Sequence, residues 1–285
     1  MTALDEYLAG RISAPVALMR LLLTGEPAEA VTTELARATV ADDRLAPLLA
    51  LARERLDGLR LLERIVQGGA MHAPEDGPEA AIAGSRAMFD RLVRISPEAS
   101  VAAYSLGDPD LLDAVTAELV AWLRAQELLA QQPRILDLGC GIGRLAAALA
   151  REAASIIGLD ISGGMVAEAR RRCAGLPHLR FGTCSGSELG GIPDGSCDLV
   201  LAIDVFPYLV QGGLGLAARM VAEGARVLRP GGDLLILNFS YRGAADDRGD
   251  LPAIAEAAGC RLLRNGTPEF LLWDGLVFWL RRDAA

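Results

Sequence analysis

The segment that most constrains the fold is a glycine loop that follows a short apolar run near the middle of the chain. It reads Ile135-Leu-Asp-Leu-Gly-Cys-Gly-Ile-Gly-Arg144, with glycines at positions 139, 141 and 143. Glycine adopts positive φ angles at little cost and lets a ligand approach the backbone, and a helix that starts after the loop presents unpaired N–H groups. The segment therefore predicts a strand, a tight ligand-binding loop and a helix.

The spacing of this loop departs from the dinucleotide-binding fingerprint. That fingerprint places its third glycine where Arg144 stands, whereas Gly143 comes one residue earlier. Asp137 precedes the loop, and its carboxylate would repel a pyrophosphate and attract an ammonium group. We therefore expect a ligand other than a dinucleotide.

Short apolar runs alternate with helical patterns after Pro133. The runs predict strands at 134–138, 155–160, 179–183, 198–204 and 233–239, and helical patterns lie between them near 144–152, 164–173 and 214–228. Strands buried on both faces and separated by helices indicate a parallel α/β sheet. Two further β-rich runs, 260–264 and 273–281, predict a hairpin whose turn begins at Asn265-Gly-Thr-Pro268, so at least one strand should be antiparallel.

The first 130 or so residues show helical periodicity. Apolar residues recur at three- and four-residue steps from Leu45 to Val66, which predicts that they lie on one helix face. Asp108-Pro109 supplies an N-cap and a first-turn proline for a helix that extends to about Ala130. The segment Gly68–Gly77, which contains His72, is expected to be a loop and a hinge.

A second acid ends the next predicted strand. Asp160 comes 23 residues after Asp137 and is followed by Ile161-Ser-Gly-Gly-Met165. An acid at the tip of the neighbouring strand can accept both ribose hydroxyls of an adenosine. Ile161 and Met165 can then enclose the adenine ring. A helix cap for Asp160 and a core position for Met165 are the open alternatives.

These motifs together resemble the class I S-adenosylmethionine-dependent methyltransferases. The resemblance covers about Leu111–Arg282 and rests on Asp137-x-Gly139-x-Gly141-x-Gly143, Asp160, Ile192–Val200 and Arg229-Pro-Gly-Gly-Asp233. It implies an α/β fold with a seven-stranded, mostly parallel, doubly wound sheet. The implied strand order is 3-2-1-4-5-7-6 with strand 7 antiparallel, which agrees with the predicted hairpin.

The resemblance also implies S-adenosylmethionine as the cofactor. By this resemblance, Asp137 and Gly139 bind the methionine moiety, and Gly141 lets the loop backbone pass close to the cofactor. Asp160 binds the ribose, and Ile161 and Met165 contact the adenine. Family members often carry an Asp after the third strand that accepts from the adenine amino group. Ser185 stands near that position, so this contact is expected to be weaker or made by backbone, with Glu188 as an alternative.

The acceptor is expected beside the end of the fourth strand. The segment Leu201–Tyr208 lacks the Asn/Asp-Pro-Pro-Tyr/Phe motif that clamps an amino group in DNA adenine and related N-methyltransferases. It also lacks the Pro-Cys dipeptide of cytosine C5 enzymes, so base methylation is not expected. Asp204 can orient or deprotonate an acceptor and Tyr208 can line its pocket. A cofactor-side contact or helix cap for Asp204, and simple packing for Tyr208, stay open. Further candidates for the acceptor pocket are Tyr104, Asn238, Phe239 and Tyr241.

We expect two domains. Residues 1–107 are predicted to form an all-α domain that serves as a lid and acceptor pocket or as a dimerisation module. Residues 108–285 are predicted to form the S-adenosylmethionine-binding domain. A homodimer is therefore one expected assembly.

Composition restricts the chemistry. All 28 basic residues are Arg, which excludes a Schiff-base lysine, a lysine general base and a lysine-containing phosphate loop. The net charge is −9, and neither half of the chain is net basic, so a nucleic-acid partner is not expected. Five cysteines without a Cys-x-x-Cys pair and only two histidines make a metal site unexpected and favour a reducing compartment.

Localisation and function follow from these observations as expectations. An acidic N-terminus and the absence of a long apolar run predict a cytoplasmic protein without a membrane segment. We expect methyl transfer from S-adenosylmethionine to the O or N of a small organic acceptor. The alternatives are a catalytically silent module that binds S-adenosylmethionine or S-adenosylhomocysteine, and a protein methyltransferase.

Overall fold

The computed structural model describes residues 2–67 and 77–284. The predicted loop with His72 lies, apart from Gly77, outside the described residues. The α-helices of the described chain are α1 Ala3–Leu8, α2 Ala14–Leu22, α3 Ala28–Ala41, α4 Ala46–Glu54, α5 Leu56–Gln67, α6 Pro78–Ile95, α7 Pro97–Val101, α8 Pro109–Ala125, α9 Arg144–Leu149, α10 Gly163–Arg172, α11 Phe206–Gln211, α12 Leu214–Val227 and α13 Ala244–Ala257. Its strands are β1 Arg134–Leu138, β2 Ser155–Asp160, β3 Leu179–Thr183, β4 Cys197–Ile203, β5 Leu228–Leu237, β6 Cys260–Pro268 and β7 Leu276–Arg282.

The chain divides into two compact units, each made of discontinuous segments. The helical unit contains the described parts of Met1–Met71, Arg91–Glu118 and Phe270–Asp274. The sheet unit contains the described parts of His72–Asp90, Leu119–Glu269 and Gly275–Ala285. The first part of α6 therefore belongs to the sheet unit although it lies far before β1 in sequence. The roles predicted for residues 1–107 and 108–285 stay predictions.

The sheet has the predicted topology. Its order is β3-β2-β1-β4-β5-β7-β6, and β7 runs antiparallel to both of its neighbours. The strand order and the antiparallel seventh strand are thus confirmed. β1 pairs in parallel with β2 on one side and with β4 on the other. The carboxyl end of β1 is therefore the point where the order reverses, which is where open α/β sheets bind ligands.

Helices cover the sheet on both faces. On one face, buried Leu136, Val200 and Leu234 belong to a core cluster with Met220 of α12 and Leu251 of α13. On the other face, Trp279 of β7 meets Trp122 of α8 edge to face, with ring centroids 6.3 Å apart. Both faces of the central strands are buried under helices, which explains why their sequences are continuously apolar.

The helical unit has its own apolar core. Among its most deeply buried side chains are Leu18, Leu22, Leu35, Leu48, Leu59 and Leu62. The stripe from Leu45 to Val66, predicted as one helix face, is divided at Arg55 into α4 and α5. Arg55 makes an ion pair with Asp108, and a side chain at Gly58 would collide with the Leu106 carbonyl oxygen. The spacing of apolar residues shows which side of a helix faces the core. It does not show that the helix is continuous, because the same spacing carries on across the break at Arg55.

Two further predicted boundaries were wrong. The helix predicted to reach Ala130 ends at Ala125, because Glu127 adopts a left-handed φ of 60°. Asn265–Pro268 does not form the hairpin turn but the end of β6, and residues 269–275 connect β6 to β7. The turn-like sequence contains one of the two register shifts in the β6–β7 ladder, the one between Asn265 and Thr267, with Gly266 at φ 72°. A β-bulge and a turn use the same residue types.

No helix in the described part of the chain combines the length and apolarity that crossing a bilayer needs.

Asp233 of β5 holds the outer part of the sheet together. Its carboxylate accepts from Trp279 Nε1 at 2.7 Å and from Arg281 Nε and Nη2 at 2.8 and 3.1 Å. Asp233 is 9% exposed and Trp279 is 8% exposed. Removing the acceptor leaves a buried indole N–H unsatisfied and frees a partly exposed Arg.

We expect Asp233→Ala to lower the free energy of unfolding by about 2 kcal/mol, and Asp233→Asn by about 1 kcal/mol because the amide oxygen still accepts from Trp279. Urea unfolding followed by tryptophan fluorescence measures both values. Asp283→Ala, at an exposed acid of the same unit, is the matched control and should change the value by less than about 0.5 kcal/mol. Equal effects at 233 and 283 would contradict this account.

Candidate active site

The site begins at the carboxyl end of β1. Asp137 is buried, and its Oδ2 has no hydrogen-bond partner among the described residues. The loop that follows turns through left-handed backbone at Gly139, Gly141 and Gly143, with φ of 66°, 51° and 76°. The N–H groups of Gly139 and Cys140 both donate to the Leu159 carbonyl, at 2.7 and 3.0 Å. The loop is thereby fixed to the end of β2.

Close packing at the loop requires glycine. A Cβ at Gly139 would lie 2.1 Å from Val205 Cγ2, and one at Gly143 would lie 3.0 Å from Ala169 Cβ. Val205 comes two residues after β4, so the glycine loop and the end of β4 are in direct contact. Positive φ and lack of space act together at both positions.

Asp160 joins the glycine loop to the next helix. Its Oδ2 accepts from Gly141 N at 3.0 Å and its Oδ1 from Ser162 N at 2.8 Å. Ser162 is the N-cap of α10 and accepts from Met165 N at 3.1 Å. The residue thus organises both turns that border the end of β2.

Helix α6 contributes a contact that the sequence did not reveal. Asp90 Oδ1 accepts from Ser162 Oγ at 2.6 Å and from Gly164 N at 3.0 Å. Arg86 Nε donates to the Ile161 carbonyl at 3.1 Å. The start of α10 is therefore held by side chains from a helix more than 70 residues earlier. No local pattern marks Asp90, because its partners are distant in sequence.

Burial raises the pKa of both acids at this edge. The pKa of Asp137 rises to about 7, because desolvation outweighs the opposing effect of the Arg144 charge, and Asp160 adds repulsion. Desolvation also raises the pKa of Asp160, against the backbone N–H groups of Ser162 and Gly141, which favour its ionised form. A buried carboxylate with such a pKa favours a cationic partner.

The residues predicted to contact adenine follow β2 and β3. Ile161 is partly exposed, whereas Met165 of α10 is 2% exposed. Gly186, after β3, lies against Ile161 and Ile82 of α6. Ser185 is exposed, and its hydroxyl accepts from Ser187 N and Glu188 N at 3.2 Å each, which closes the loop on itself. The predicted roles of these residues stay predictions.

Two residues at the ends of β4 and β5 adopt left-handed backbone without being glycine. Asp204 has φ 55° and Asn238 has φ 69°. Asn238 Nδ2 donates to Asp204 Oδ1 at 2.8 Å, while Asp204 N donates to the Leu237 carbonyl and Asn238 N to the Leu276 carbonyl. Strained backbone held by surrounding bonds is enriched at functional sites.

A group of aromatic rings lies next to Asp204, whose charge acts on Tyr208. Tyr208 packs edge to face with Phe89 of α6 at 5.0 Å and with Tyr241 at 6.4 Å between centroids. The pKa of Tyr208 is raised, first by burial and then by the Asp204 charge, although a hydrogen bond with Tyr241 lowers it. The phenol therefore stays neutral, so Tyr208 can line a binding pocket or donate a hydrogen bond.

The structure groups most of the predicted site residues in the sheet unit. Asp137, Gly139, Gly141, Asp160, Ile161, Met165, Ser185, Asp204 and Tyr208 all lie in or after its strands β1 to β4. Tyr104 belongs to the helical unit, where it is 4% exposed and packs 6.4 Å from Trp273. Its role in the acceptor pocket stays a prediction. Asp90 and Phe89 are the residues that sequence reasoning missed.

Comparison with known families decides what kind of domain this is. A family described as "Methyltransferase domain" matches residues 136–236, which run from β1 through the glycine loop to β5. That segment carries the glycine loop, Asp160 and the reversal of strand order. Residues 136–236 therefore carry an S-adenosylmethionine-dependent methyltransferase domain.

Individual relatives of this methyltransferase domain differ in what their names say they act on. A trans-aconitate 2-methyltransferase of Methylobacterium nodulans is 38% identical over 169 residues, which cover 55% of this chain and 60% of that protein. A ribosomal RNA large subunit methyltransferase G of Streptomyces coelicolor is 39% identical over 118 residues, covering 39% and 30%. The chain spans about half the length of the curated relatives it matches.

A solved structure confirms the likeness of fold. The crystal structure of the [4+2]-cyclase SpnF aligns with a TM-score of 0.51 and 19% identity, covering 75% of this chain and 98% of that one. At this identity the likeness concerns the fold alone.

The residues present fit S-adenosylmethionine. Its ammonium group can pair with Asp137 Oδ2, a buried oxygen that lacks a partner among the described residues. The close approach of the loop backbone needs the missing Cβ at Gly139. Asp160 sits at the tip of the adjacent strand, where it retains acceptor capacity beyond its two backbone N–H bonds.

We expect Gly139→Ala to lower the free energy of unfolding by about 2 kcal/mol or more, because φ strain adds to the collision with Val205. Removing the colliding methyl groups should relieve part of this loss. The double variant Gly139→Ala/Val205→Ala should therefore be more stable than the sum of the two single losses predicts. Thermal unfolding measures all three.

Gly163→Ala is the matched control for this prediction. It opens α10, and a Cβ there meets nothing within 4 Å. Its stability should stay equal or rise slightly, since Ala favours helices. Additive losses in the double variant would show that Val205 does not determine the need for glycine.

Proposed function

We propose that this protein is an S-adenosylmethionine-dependent methyltransferase that transfers a methyl group to the O or N of a small organic acceptor. The observation that carries the proposal is the buried Asp137 oxygen without a described partner beside a glycine loop at the reversal of strand order. The bound cofactor supplies an activated sulfonium methyl group. The protein's share is then to bind, orient and keep water away.

The chain's own residues divide this work. Asp137 and the loop backbone would hold the amino-acid end, Asp160 would accept from the ribose hydroxyls, and Ile161 would cover the adenine. Met165 and Ser185 are proposed at the adenine end, and Gly141 lets the backbone pass close. Holding the reacting atoms about 3–3.5 Å apart can supply roughly 7–11 kcal/mol of the barrier. A chain without Lys can therefore catalyse this transfer with Asp204 and Tyr208 in assisting roles.

The acceptor is proposed to be a small molecule. The names of relatives include both trans-aconitate and ribosomal RNA as objects of methylation. The net charge of −9 supports the small molecule, because it offers little counterion release on binding RNA. We retain as proposals that residues 1–107 act as a lid with Tyr104 at the acceptor pocket or as a dimerisation module, and that the protein works in the cytoplasm.

A second candidate is a module that binds the cofactor without turnover. The hydroxyl of Ser185 is engaged in its own loop, which favours weaker recognition of the adenine amino group. This candidate predicts cofactor binding without S-adenosylhomocysteine formation over a broad acceptor panel. Methylation of a protein is the third, and transfer of a labelled methyl group to protein in a lysate would favour it.

We expect stoichiometric S-adenosylhomocysteine binding by calorimetry, weakened at least about tenfold by Asp160→Ala through loss of charged hydrogen bonds. Asp160→Asn should weaken it less, because the amide oxygen of Asn remains as an acceptor. Melting temperatures of both variants separate misfolding from a direct loss of binding. Asp246→Ala, at an exposed acid, should bind normally. Absence of binding to the folded unmodified protein would refute the proposed function.

We expect S-adenosylhomocysteine affinity to fall as the pH drops below about 7, approaching tenfold per pH unit. The pKa of Asp137 in the free protein is about 7, and only its ionised form attracts the ligand's ammonium group. Binding should accordingly release a proton near and below that pH. Calorimetry in buffers of different ionisation enthalpy measures the release. Asp137→Asn should bind weakly and lose this proton release, and an unchanged release would contradict the assignment.

A further inference from the structure

We propose that the acceptor is a planar molecule whose methylated atom is a nitrogen, recognised by Asp204 and the rings of Phe89, Tyr208 and Tyr241. This inference rests on the proposed methyltransferase function and narrows it from O or N to N. The four residues lie in the sheet unit, and together with Asn238 they are called the acid–aromatic cluster below.

The cluster lies beside the place where the methyl group would be delivered. Asp204 directly follows β4, and the next residue, Val205, packs its side chain on Gly139 of the glycine loop. A ligand held at the loop therefore borders the end of β4. Tyr208, one turn further in α11, extends the same border.

The backbone at the cluster has an uncommon conformation that side-chain hydrogen bonds hold in place. Two adjacent non-glycine residues, Asp204 and Asn238, share left-handed conformations and a 2.8 Å hydrogen bond between their side chains. Asn238 Oδ1 also accepts from Leu276 N at 3.4 Å, which fixes the amide so that its NH₂ group points at Asp204. The pair orients a carboxylate at the carboxyl edge of the sheet, where ligands bind.

The rings form nearly perpendicular walls. Tyr208 makes interplanar angles of 70° with Phe89 and 88° with Tyr241, so the three rings present both faces and edges. Tyr241 is 53% exposed, which leaves the cluster accessible from its rim. Aromatic faces attract cations, and a nearby carboxylate adds its own electrostatic attraction. The same faces stack against planar molecules.

Transfer to nitrogen places positive charge where this cluster favours it. The acceptor nitrogen reacts in its neutral form, so an ammonium first gives its proton to water. Its lone pair then forms the new N–C bond as the S–C bond breaks, and the electron pair of the S–C bond stays on sulfur as a thioether. The positive charge moves from sulfur to nitrogen. Asp204 and the aromatic faces stabilise that charge as it develops. A proton on the product nitrogen, where present, then leaves to water.

Oxygen acceptors gain less from these residues. An anionic oxygen, such as a carboxylate, is repelled by Asp204 at the start and loses its charge during transfer. A neutral phenol or alcohol oxygen is a much weaker nucleophile than a neutral nitrogen and reacts well only as its anion. That anion is repelled by Asp204, and an ordinary carboxylate is a weak base for such groups, whose pKa is about 10 or above. The cluster therefore discriminates by the charge that the acceptor carries at the transition state.

Matched probes of similar shape test the inference. With S-adenosylhomocysteine-loaded protein, calorimetry compares 2-phenylethylamine, 2-phenylethanol and 3-phenylpropanoate. We expect the amine to bind at least tenfold more tightly than the anion. Asp204→Asn, which keeps the size and tolerates left-handed backbone, should weaken amine binding about tenfold or more. It should change binding of the alcohol less than threefold.

Controls separate this inference from the proposed function. Asp246→Asn, at an exposed acid of the same unit, should leave amine binding unchanged. S-adenosylhomocysteine binding to Asp204→Asn should stay within about twofold of the unmodified protein, which also shows that the variant folds. Failure of any form to bind S-adenosylhomocysteine would defeat the methyltransferase proposal itself.

A second readout uses turnover. S-adenosylhomocysteine formation is measured over a panel of aromatic amines and nitrogen heterocycles, each paired with its hydroxyl and carboxylate counterpart. Preferred turnover of nitrogen members supports the inference. Preferred turnover of oxygen members, or binding of the three phenyl probes with equal affinity or not at all, overturns the nitrogen assignment and leaves cofactor binding intact.

Discussion

The bond from the Gly141 N–H to the Asp160 carboxylate is the contact on which the rest of the site depends. It joins the loop after β1 to the end of β2 and fixes the carboxylate that also receives the Ser162 N–H. Ser162 in turn caps α10 and donates to Asp90 of α6. One buried acid thus determines the positions of a loop, a helix start and a distant helix. Loss of this carboxylate would therefore disturb all three together.

Burial of charge is the common physical theme of the sheet unit. Asp137, Asp160 and Asp233 are all less than a tenth exposed, but their carboxylates have different hydrogen-bond partners. Asp233 is satisfied by an indole and a guanidinium, and Asp160 by backbone N–H groups. Asp137 keeps an oxygen without a described partner and a raised pKa. The fold therefore tolerates one unfavourable carboxylate at the place where a cationic ligand would compensate it.

Much of the sheet could be predicted from sequence because its determinants are local. Apolar runs separated by helices located the strands, and Asp137, Gly139 and Asp160 marked the edge that binds ligands. The turn expected at Asn265 and the uninterrupted helix face around Arg55 were wrong, since each depends on contacts with residues far along the chain. Asp90 and Phe89 could not be found for the same reason. Their partners, Ser162 and Tyr208, lie more than 70 positions away.

The segment of α6 up to Asp90 has a consequence for how the protein can be divided. A fragment that starts at residue 108 retains the whole seven-stranded sheet and looks complete by its topology. It would nevertheless lack the acceptor for Ser162 Oγ and Gly164 N, the donor to the Ile161 carbonyl, and one ring of the acid–aromatic cluster. A truncated domain would then keep its strands while losing the contacts that α6 makes at the ligand-binding edge of the sheet. The residues that complete this domain come from separate parts of the chain, so no single cut in the sequence separates the domain with all of its contacts.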